Sequence, residues 1–493
     1  MDFYNILELP VDATTDEIRV AYFSAAKIYH PDKNPSAADT EKFLKIQKAY
    51  ETLIDQKKRS SYDENISEEI KSKKSIQINA FYSRNVLPLI EGDQVFYLLL
   101  DIFPTKTDLP NLLPPVNICL VIDKSTSMQG DLIEKIKFEA VNFLKLIREN
   151  DTISIVTFSD FADVILTPTK SNESGAVLSR IQSIQASGST EIYKGLSEGI
   201  EQLRSIQADD QIKQLILITD GHTYGDEALC MQLIREATEE GISFQAIGIG
   251  DNWNDQFLDE LARISGGETQ FVVSAQEMLN SLTEKIKQSG IQYARNVKIE
   301  FETSPFVQLN YAFRLSPDLS SLDVGNSILL GNLLLGKHLR VIFEFHIDEL
   351  LPTMEELRMI YGSIKMDIPS NPIKKTRMYF DFKRPISTTI DRVIPPAAII
   401  DAMSHLTLYR IQEKARNEVK DGDIQNATRH LHHVATHLLA RGDRNLARTV
   451  LQEAQNLQTQ KSFSDIGEKR IKYGTRSLLM LPEPERTEYD YLP

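Results

Sequence analysis

From residue 115 to about 290, short apolar runs alternate with stretches of helical spacing, and no other feature of the chain narrows its fold as much. The runs are Val116–Ile122, Ile153–Phe158, Gln214–Thr219 and Ser243–Ile249. Helical patterns lie between and after them, near 131–147, 192–205, 225–240 and 254–265. Strands alternating with helices in this way predict a doubly wound sheet with helices on both faces. Ligands of such sheets bind outside the carboxyl ends of the strands.

The polar residues at those ends are therefore the ones to read. The first run stops at Asp123-Lys124-Ser125-Thr126-Ser127, a later loop holds Gly188-Ser189-Thr190, and the run Gln214–Thr219 is followed by Asp220-Gly221. Caps and turns at strand ends would use the same residue types. Two carboxylates and three hydroxyls brought together there would instead make an all-oxygen site for a hard divalent cation, Mg2+ or Mn2+. With only two charged ligands the ion keeps positive charge, so an open position can take a carboxylate from a partner.

This segment resembles the von Willebrand factor A (VWA) domain. The Asp-x-Ser-x-Ser…Thr…Asp order is that family's metal-dependent adhesion motif, and the resemblance assigns metal ligation to Asp123, Ser125, Ser127, Thr190 and Asp220. Glu191 departs from the pattern: many relatives have a neutral residue after the threonine, and a carboxylate here competes as a ligand or repels an acidic partner.

The N-terminal 65 residues read as a helical hairpin. Thr14-Thr15-Asp16-Glu17 has capping-box spacing. Ile18, Tyr22, Ala25 and Tyr29 then fall on one helical face. Pro31 ends that helix, because the residue before a proline is pushed out of the helical region. Phe43, Ile46, Ala49, Tyr50 and Leu53 make the matching stripe of a second helix. Between the two, His30-Pro31-Asp32 sits on a polar loop, which by itself is only a turn signal. The whole pattern resembles the J domain of DnaJ-type co-chaperones from Asp2 to Asp63, including Tyr4, Leu7, Ala13, Ala21-Tyr22, Tyr29 to Lys33 and the closing Lys58-Arg59 and Tyr62-Asp63. In that family the His-Pro-Asp loop stimulates ATP hydrolysis by a DnaK-type heat-shock chaperone, and basic residues of the preceding helix dock on it. The resemblance gives the first role to His30, Pro31 and Asp32 and the second to Arg19 and Lys27. Many J domains carry a basic pair after the tyrosine matching Tyr22; this chain has Phe23-Ser24, so electrostatic docking on an acidic partner is weakened.

Residues 75–104 and 295–386 carry strand patterns, which predicts one β-sandwich interrupted by the A domain. From Pro395 to about Gln460 the pattern is helical. Gly422-Asp423…Ala427…Leu431 returns as Gly442-Asp443…Ala447…Leu451, with Asp423 and Asp443 placed to cap successive helices. This resembles the tails of bacterial A-domain proteins. His430, His433 and His437 share a helical face, but no carboxylate or cysteine completes a metal set, which favours a solvated or capping face. Two motifs mislead. Gly195-Leu196-Ser197-Glu198-Gly199 matches a nucleophile elbow but falls inside a helical pattern. Gly331–Lys337 approaches a phosphate loop but is followed by His338, and reads as a β-hairpin.

The expected architecture is multidomain: an all-α J domain (1–66), a linker with the first sandwich strands (67–114), an α/β doubly wound VWA domain (115–290), the rest of the β-sandwich (291–390), an α-helical hairpin tail (391–480) and an end segment (481–493). The net charge of −15 disfavours nucleic acid and anionic membrane as main partners. Two cysteines exclude a disulfide scaffold. The start, Met-Asp-Phe-Tyr-Asn, has no basic head or apolar core, and no apolar run approaches the roughly 20 residues of a membrane span. A cytoplasmic protein is expected. No nucleophile–base set is present, so a binding role is expected rather than an enzyme. Its expected partners are a DnaK-type chaperone, through the J domain, and an unidentified protein offering an acidic residue to the A domain. The alternative is a VWA-based interaction scaffold whose J domain is a docking module with little ATPase stimulation.

Overall fold

The computed structural model describes residues 3–7, 9–29, 37–65, 76–104, 114–145, 147–170, 175–206, 211–223, 225–250, 253–369, 374–389, 394–440 and 442–478. The chain opens with α1 (Phe3–Ile6), α2 (Thr15–Tyr29), α3 (Ala37–Leu53) and α4 (Gln56–Asn65). The capping box forms as its spacing predicts: Thr14 N donates to Glu17 Oε2 at 2.8 Å, and Glu17 N donates to Thr14 Oγ1 at 3.2 Å. Tyr4, Leu7, Ile18, Ile46, Ala49 and Leu53 fill the small core between the helices. Tyr22 stacks on Tyr50 with ring centroids 4.1 Å apart. Arg59 Nε donates to the Tyr4 hydroxyl at 2.9 Å, which in turn donates to Asp63 at 2.7 Å, tying α4 to the start of the chain.

Three strands follow: β1 (Ile76–Tyr82), β2 (Leu87–Pro88) and β3 (Gln94–Pro104). The α/β unit then runs β4 (Val116–Asp123), α5 (Asp131–Leu144), β5 (Thr152–Phe158), β6 (Ala162–Lys170), α6 (Gly175–Gln182), α7 (Ile192–Arg204), β7 (Ile212–Thr219), α8 (Glu227–Glu239), β8 (Ile242–Ile249), α9 (Asp255–Ile264), β9 (Thr269–Val272) and α10 (Ala275–Gly290). The described strands form one sheet in the order β6-β5-β4-β7-β8-β9, parallel except where β6 runs antiparallel to β5. Ile118, Leu120 and Ile122 of β4 point into one core, with α5 and α10; Cys119 and Val121 point into the other, with α7, α8 and α9. Both cysteines are buried, and burial pushes both thiols up. The Gly195–Gly199 stretch is helical, and its glycines are packing devices: a Cβ at Gly195 would lie 2.6 Å from the Phe158 ring, and one at Gly199 2.6 Å from Val121.

The chain then returns to β-structure with β10 (Gln292–Thr303), β11 (Val307–Ser316), β12 (Ser320–Leu322), β13 (Ser327–Leu334), β14 (Leu339–Ile347), β15 (Glu356–Asp367) and β16 (Lys375–Ser387). Two sheets result among the described residues, β1-β3-β14-β11-β12 and β13-β10-β15-β16-β2. β3, which precedes the α/β unit, pairs with β14, which follows it. Alternation along β3 explains its unbroken apolar run: Leu98, Leu100 and Ile102 face the other sheet, whereas Leu99 faces helices packed on the outside. The expected hairpin at Gly331–Lys337 is corrected here. β13 pairs with β10 and β14 with β3 and β11, so the turn carries the chain from one sheet to the other.

Those outer helices are α11 (Ala397–Lys420), α12 (Ile424–Ala440) and α13 (Arg444–Gln460), followed by α14 (Asp465–Leu478). Asp443 accepts from Leu446 N at 2.9 Å and Asp423 from Asn426 N at 3.1 Å, the two caps that the twenty-residue repeat implies. His430 and His433 meet edge to face, and His430 bonds Glu418 at 2.7 Å.

Candidate functional site

The site lies at the carboxyl ends of β4 and β7, neighbours in the centre of the sheet, where the two main-chain paths diverge and leave a crevice. Asp123 closes β4 and is fully buried. Its Oδ1 accepts from Ser125 N at 2.8 Å, and its Oδ2 from Thr219 Oγ1 at 2.6 Å. Ser125 Oγ lies 2.9 Å from Ser127 Oγ, which donates to Asp220 Oδ1 at 2.7 Å. Thr190 arrives from the loop before α7; a Cβ on Gly221 would sit 3.1 Å from Thr190 Oγ1 and 3.6 Å from Asp123 Oδ2. Asp123, Ser125, Ser127, Thr190 and Asp220 are thus drawn from three loops to one point, and Gly221 keeps the space between them clear.

Burial dominates the electrostatics. It pushes the Asp123 carboxyl up to about 6, against the hydrogen bonds from Thr219 and Ser125, and nearby Asp220 adds to the rise. Burial also raises Asp220, against its bond from Ser127. Two partly desolvated carboxylates with hydroxyls around them, and among the described residues no cationic side chain in their hydrogen-bond network, form a donor set that fits a hard divalent cation. Lys124, inside the motif, is turned aside: its Nζ contacts Asp163 at 2.5 Å and lies 4.8 Å from the Phe161 ring centroid. Glu191 is held by Lys194 at 2.8 Å. The loops are braced from outside, with Ser189 N donating to Asp160 at 3.0 Å and Tyr193 N to Asp226 at 2.8 Å. Thr219, Asp160 and Asp226 support the site without belonging to the sequence motif, and spacing alone gives no signal for them.

The second set of expected residues is only partly visible. Arg19 and Lys27 are exposed on α2, Arg19 paired with Asp16 at 3.1 Å. His30, Pro31 and Asp32 lie outside the described residues. Val20 and Phe23 are 66% and 59% exposed on the same helix. At its start Glu17 receives both Nη atoms of Arg377 from β16, at 2.5 and 3.1 Å, and this pairing holds its carboxyl down at about 2.

The tail takes part in a way the sequence did not announce. Asp255 and Asp259 of α9 face Lys472 and Arg476 of α14 and Arg416 of α11, with Lys472–Asp259 at 2.7 Å, Arg476–Asp259 at 2.6 Å and Arg416–Asp255 at 2.9 Å. Burial alone would raise Asp259, but Arg476 and Lys472 overcome it and hold the carboxyl well below the usual range. Lys469 Nζ donates to Trp253 O at 2.8 Å, and Tyr473 packs 5.7 Å from the Trp253 ring. Buried Arg314 of β11 donates to Gly266 O at 2.8 Å and Gly267 O at 3.0 Å, fastening the sandwich to the loop after α9.

Comparison with known proteins divides the chain along the same lines. Residues 2–63 match the DnaJ domain family, 117–285 the von Willebrand factor type A domain family, and 397–481 the family described as Sll0103-like, C-terminal alpha-helical domain. The uncharacterised protein sll0103 of Synechocystis sp. is 26% identical over 381 residues, a match covering 75% of this chain and 89% of that one. The chaperone protein DnaJ of Protochlamydia amoebophila is 56% identical over 63 residues, 13% of this chain and 16% of its own length. A solved von Willebrand factor type A protein from Catenulispora acidiphila shares the fold, with a TM-score of 0.65 and 12% identity over 82% of this chain and 96% of that one.

Proposed function

We propose that this chain, which joins a DnaJ domain to a VWA domain and an Sll0103-like helical domain, is a co-chaperone adaptor. The J domain recruits a DnaK-type chaperone and stimulates its ATPase through His30, Pro31 and Asp32. The VWA domain selects a partner through a Mg2+ or Mn2+ ion held by Asp123, Ser125, Ser127, Thr190 and Asp220. The observation that carries the reading is the convergence of those five residues on one point with both carboxylates desolvated. Such a site is electrostatically unsatisfied without a cation and leaves a bound ion positive enough to take one more carboxylate.

When bound, the ion supplies a Lewis-acidic contact for the partner's acidic group. This chain's part is to hold the oxygens: Thr219 and the Ser125 amide fix both oxygens of Asp123, and Ser127 orients Asp220.

The test has two arms. Mg2+ should raise the melting temperature of the full chain, because a ligand that binds the folded state stabilises it by mass action; Asp220→Ala should abolish the response. In single-turnover assays the full chain should accelerate ATP hydrolysis by a DnaK-type chaperone, and His30→Gln should remove that acceleration. A second reading, a scaffold whose J domain docks without stimulating, draws on exposed Val20 and Phe23 standing where a more basic surface would serve electrostatic docking. Equal ATPase rates with wild type and His30→Gln would favour it.

A further inference from the structure

A second group of metal-ligating side chains lies on the sandwich, well outside the A domain. His346 is the penultimate residue of β14, Asp348 follows that strand, and Asp93 precedes β3. Because β3 and β14 pair with His346 opposite Val95 and Ile347 opposite Gln94, the register brings the two flanking aspartates to one rim. His346 Nε2 lies 3.2 Å from Asp93 Oδ2 and 3.5 Å from Asp348 Oδ1, and the three ligand atoms fall within 4.8 Å of one another.

Two features separate this group from an ordinary ion pair. First, the other histidine–carboxylate contacts among the described residues are hydrogen bonds at 2.7 Å, His338 with Asp101 and His430 with Glu418. His346 stands off from both of its carboxylates. One ring nitrogen carries at most one proton, so it can serve both only by sharing that proton, and two carboxylates facing one imidazole leave the group net negative however the ring is protonated. Among the described residues no lysine or arginine ion pair reaches Asp93 or Asp348. Second, the two separations from His346 are compatible with ligands around a tetrahedral ion. Bonds of about 2.0–2.1 Å to nitrogen and oxygen put neighbouring ligand atoms about 3.3 Å apart, and 3.2 and 3.5 Å bracket that value.

The backbone under the ligands is set. Gly92 turns the chain with φ of 87° just before Asp93. The buried Gln94 side chain donates to Pro88 O at 2.9 Å and accepts from Arg84 at 3.1 Å. Asp348 N donates to Phe306 O at 2.9 Å. His346 is partly buried and the aspartates are exposed, which leaves the solvent side open.

We propose that Asp93, His346 and Asp348 form a zinc-binding site of one nitrogen and two oxygens, with a fourth position open to water or to a ligand from a partner. The imidazole nitrogen sets it apart from the all-oxygen site of the A domain, which suits Mg2+. Its place is structural: the ion would clip the turn entering β3 to the turn leaving β14, at one end of the sandwich.

The test is zinc uptake by the full chain in equilibrium dialysis, with excess Mg2+ present to keep zinc off the adhesion site. Wild type and Asp220→Asn should each retain one equivalent of Zn2+. His346→Ala should lose it, Asp93→Asn should weaken it by at least about tenfold, and His433→Ala should leave it unchanged. Co2+ in place of Zn2+ should give the strong visible absorption of a tetrahedral ion, absent in His346→Ala. The Asp93 substitution lies on an exposed turn, so it reads the site even if His346→Ala disturbs the strand. Zinc uptake that is equal in wild type, His346→Ala and Asp93→Asn, or no uptake by wild type, would overturn the proposal.

Discussion

Asp123 is the side chain at which stability and the proposed cation binding would be coupled. Its folded carboxyl titrates near 6, raised mainly by burial, against an ordinary value near 4. A raised carboxyl works against the folded state. Between pH ~4 and pH ~6 the unfolded chain has released this proton while the folded chain keeps it, so stability falls across that window and stays lower above it. About two pH units corresponds to about 3 kcal/mol at neutral pH. Asp123→Asn should therefore be more stable than wild type in EDTA at pH 7.5, by up to about 3 kcal/mol, and the gap should shrink toward pH 5. Mg2+ should reverse the order, stabilising wild type only, and more at pH 7.5 than at pH 5, where the proton competes for the carboxylate. Thermal melts of both proteins at the two pH values, with and without Mg2+, read all of this. A destabilised Asp123→Asn in EDTA would mean that the hydrogen bonds from Thr219 and Ser125 outweigh desolvation. The five motif residues were legible in the sequence because each sits at a strand end or in a short loop. Thr219 was not, since a hydroxyl as the last residue of an apolar strand looks like any β-branched residue filling it.

At the scale of elements, what was legible followed apolar pattern. β4, β5, β7 and β8 are buried along most of their length and announce themselves. β6 is the antiparallel edge with mixed exposure, and β9 has only four residues, so neither carries a strong signal. α14 is more instructive. Its inward face includes Lys469, Lys472 and Thr475, all buried, and a helix that docks with charge on charge shows no clean apolar stripe. It should be correspondingly sensitive. Asp259→Ala strands Arg476 and leaves Lys472 with Asp255 alone, and should cost about 3–5 kcal/mol, the range for breaking a buried pair. Asp255 and Asp259 are both held down by their cationic partners, so this contribution is present above pH ~4 and is lost as the pH falls through their depressed folded values. Trp253, the single tryptophan, packs against Tyr473 and reports directly. Its fluorescence should shift on acidification before the sheet melts, and at higher pH in Asp259→Ala than in wild type. A single transition at the same pH in both proteins would rule out separate undocking of α14.

For the whole molecule the question is how far the modules act alone. The proposed metal site and the DnaJ domain lie in different units, so their effects should separate. Ser125→Ala/Ser127→Ala should lose Mg2+-dependent partner binding while chaperone ATPase stimulation persists, and Asp32→Asn should do the reverse. Pull-down and ATPase assays on both variants decide it; loss of both functions in either would show coupling. One contact qualifies this independence. The Glu17–Arg377 pair fixes α2 to β16; Arg377 is covered but Glu17 is about a third exposed to solvent, which screens the pair to roughly 1 kcal/mol. Arg377→Ala should leave the melting temperature within a degree or two of wild type and widen the distance distribution in small-angle scattering, as the J domain swings free.

The pairing of β3 with β14 also sets a schedule for synthesis. Leu99 lies opposite Ile342, with the whole A domain between them in the chain. At roughly 5–20 residues per second, β3 leaves the ribosome some tens of seconds before its partner exists. Throughout that interval the run Leu98-Leu99-Leu100 can pair with β1 on one edge only; its other edge has no strand and its outer face no helices to cover it, and such open edges associate readily with one another. The helices at the N-terminus are complete by then, and the A domain can close by itself. The nascent chain thus spends that interval with its DnaJ domain complete at one end and a two-stranded apolar ribbon, open along one edge, just behind it.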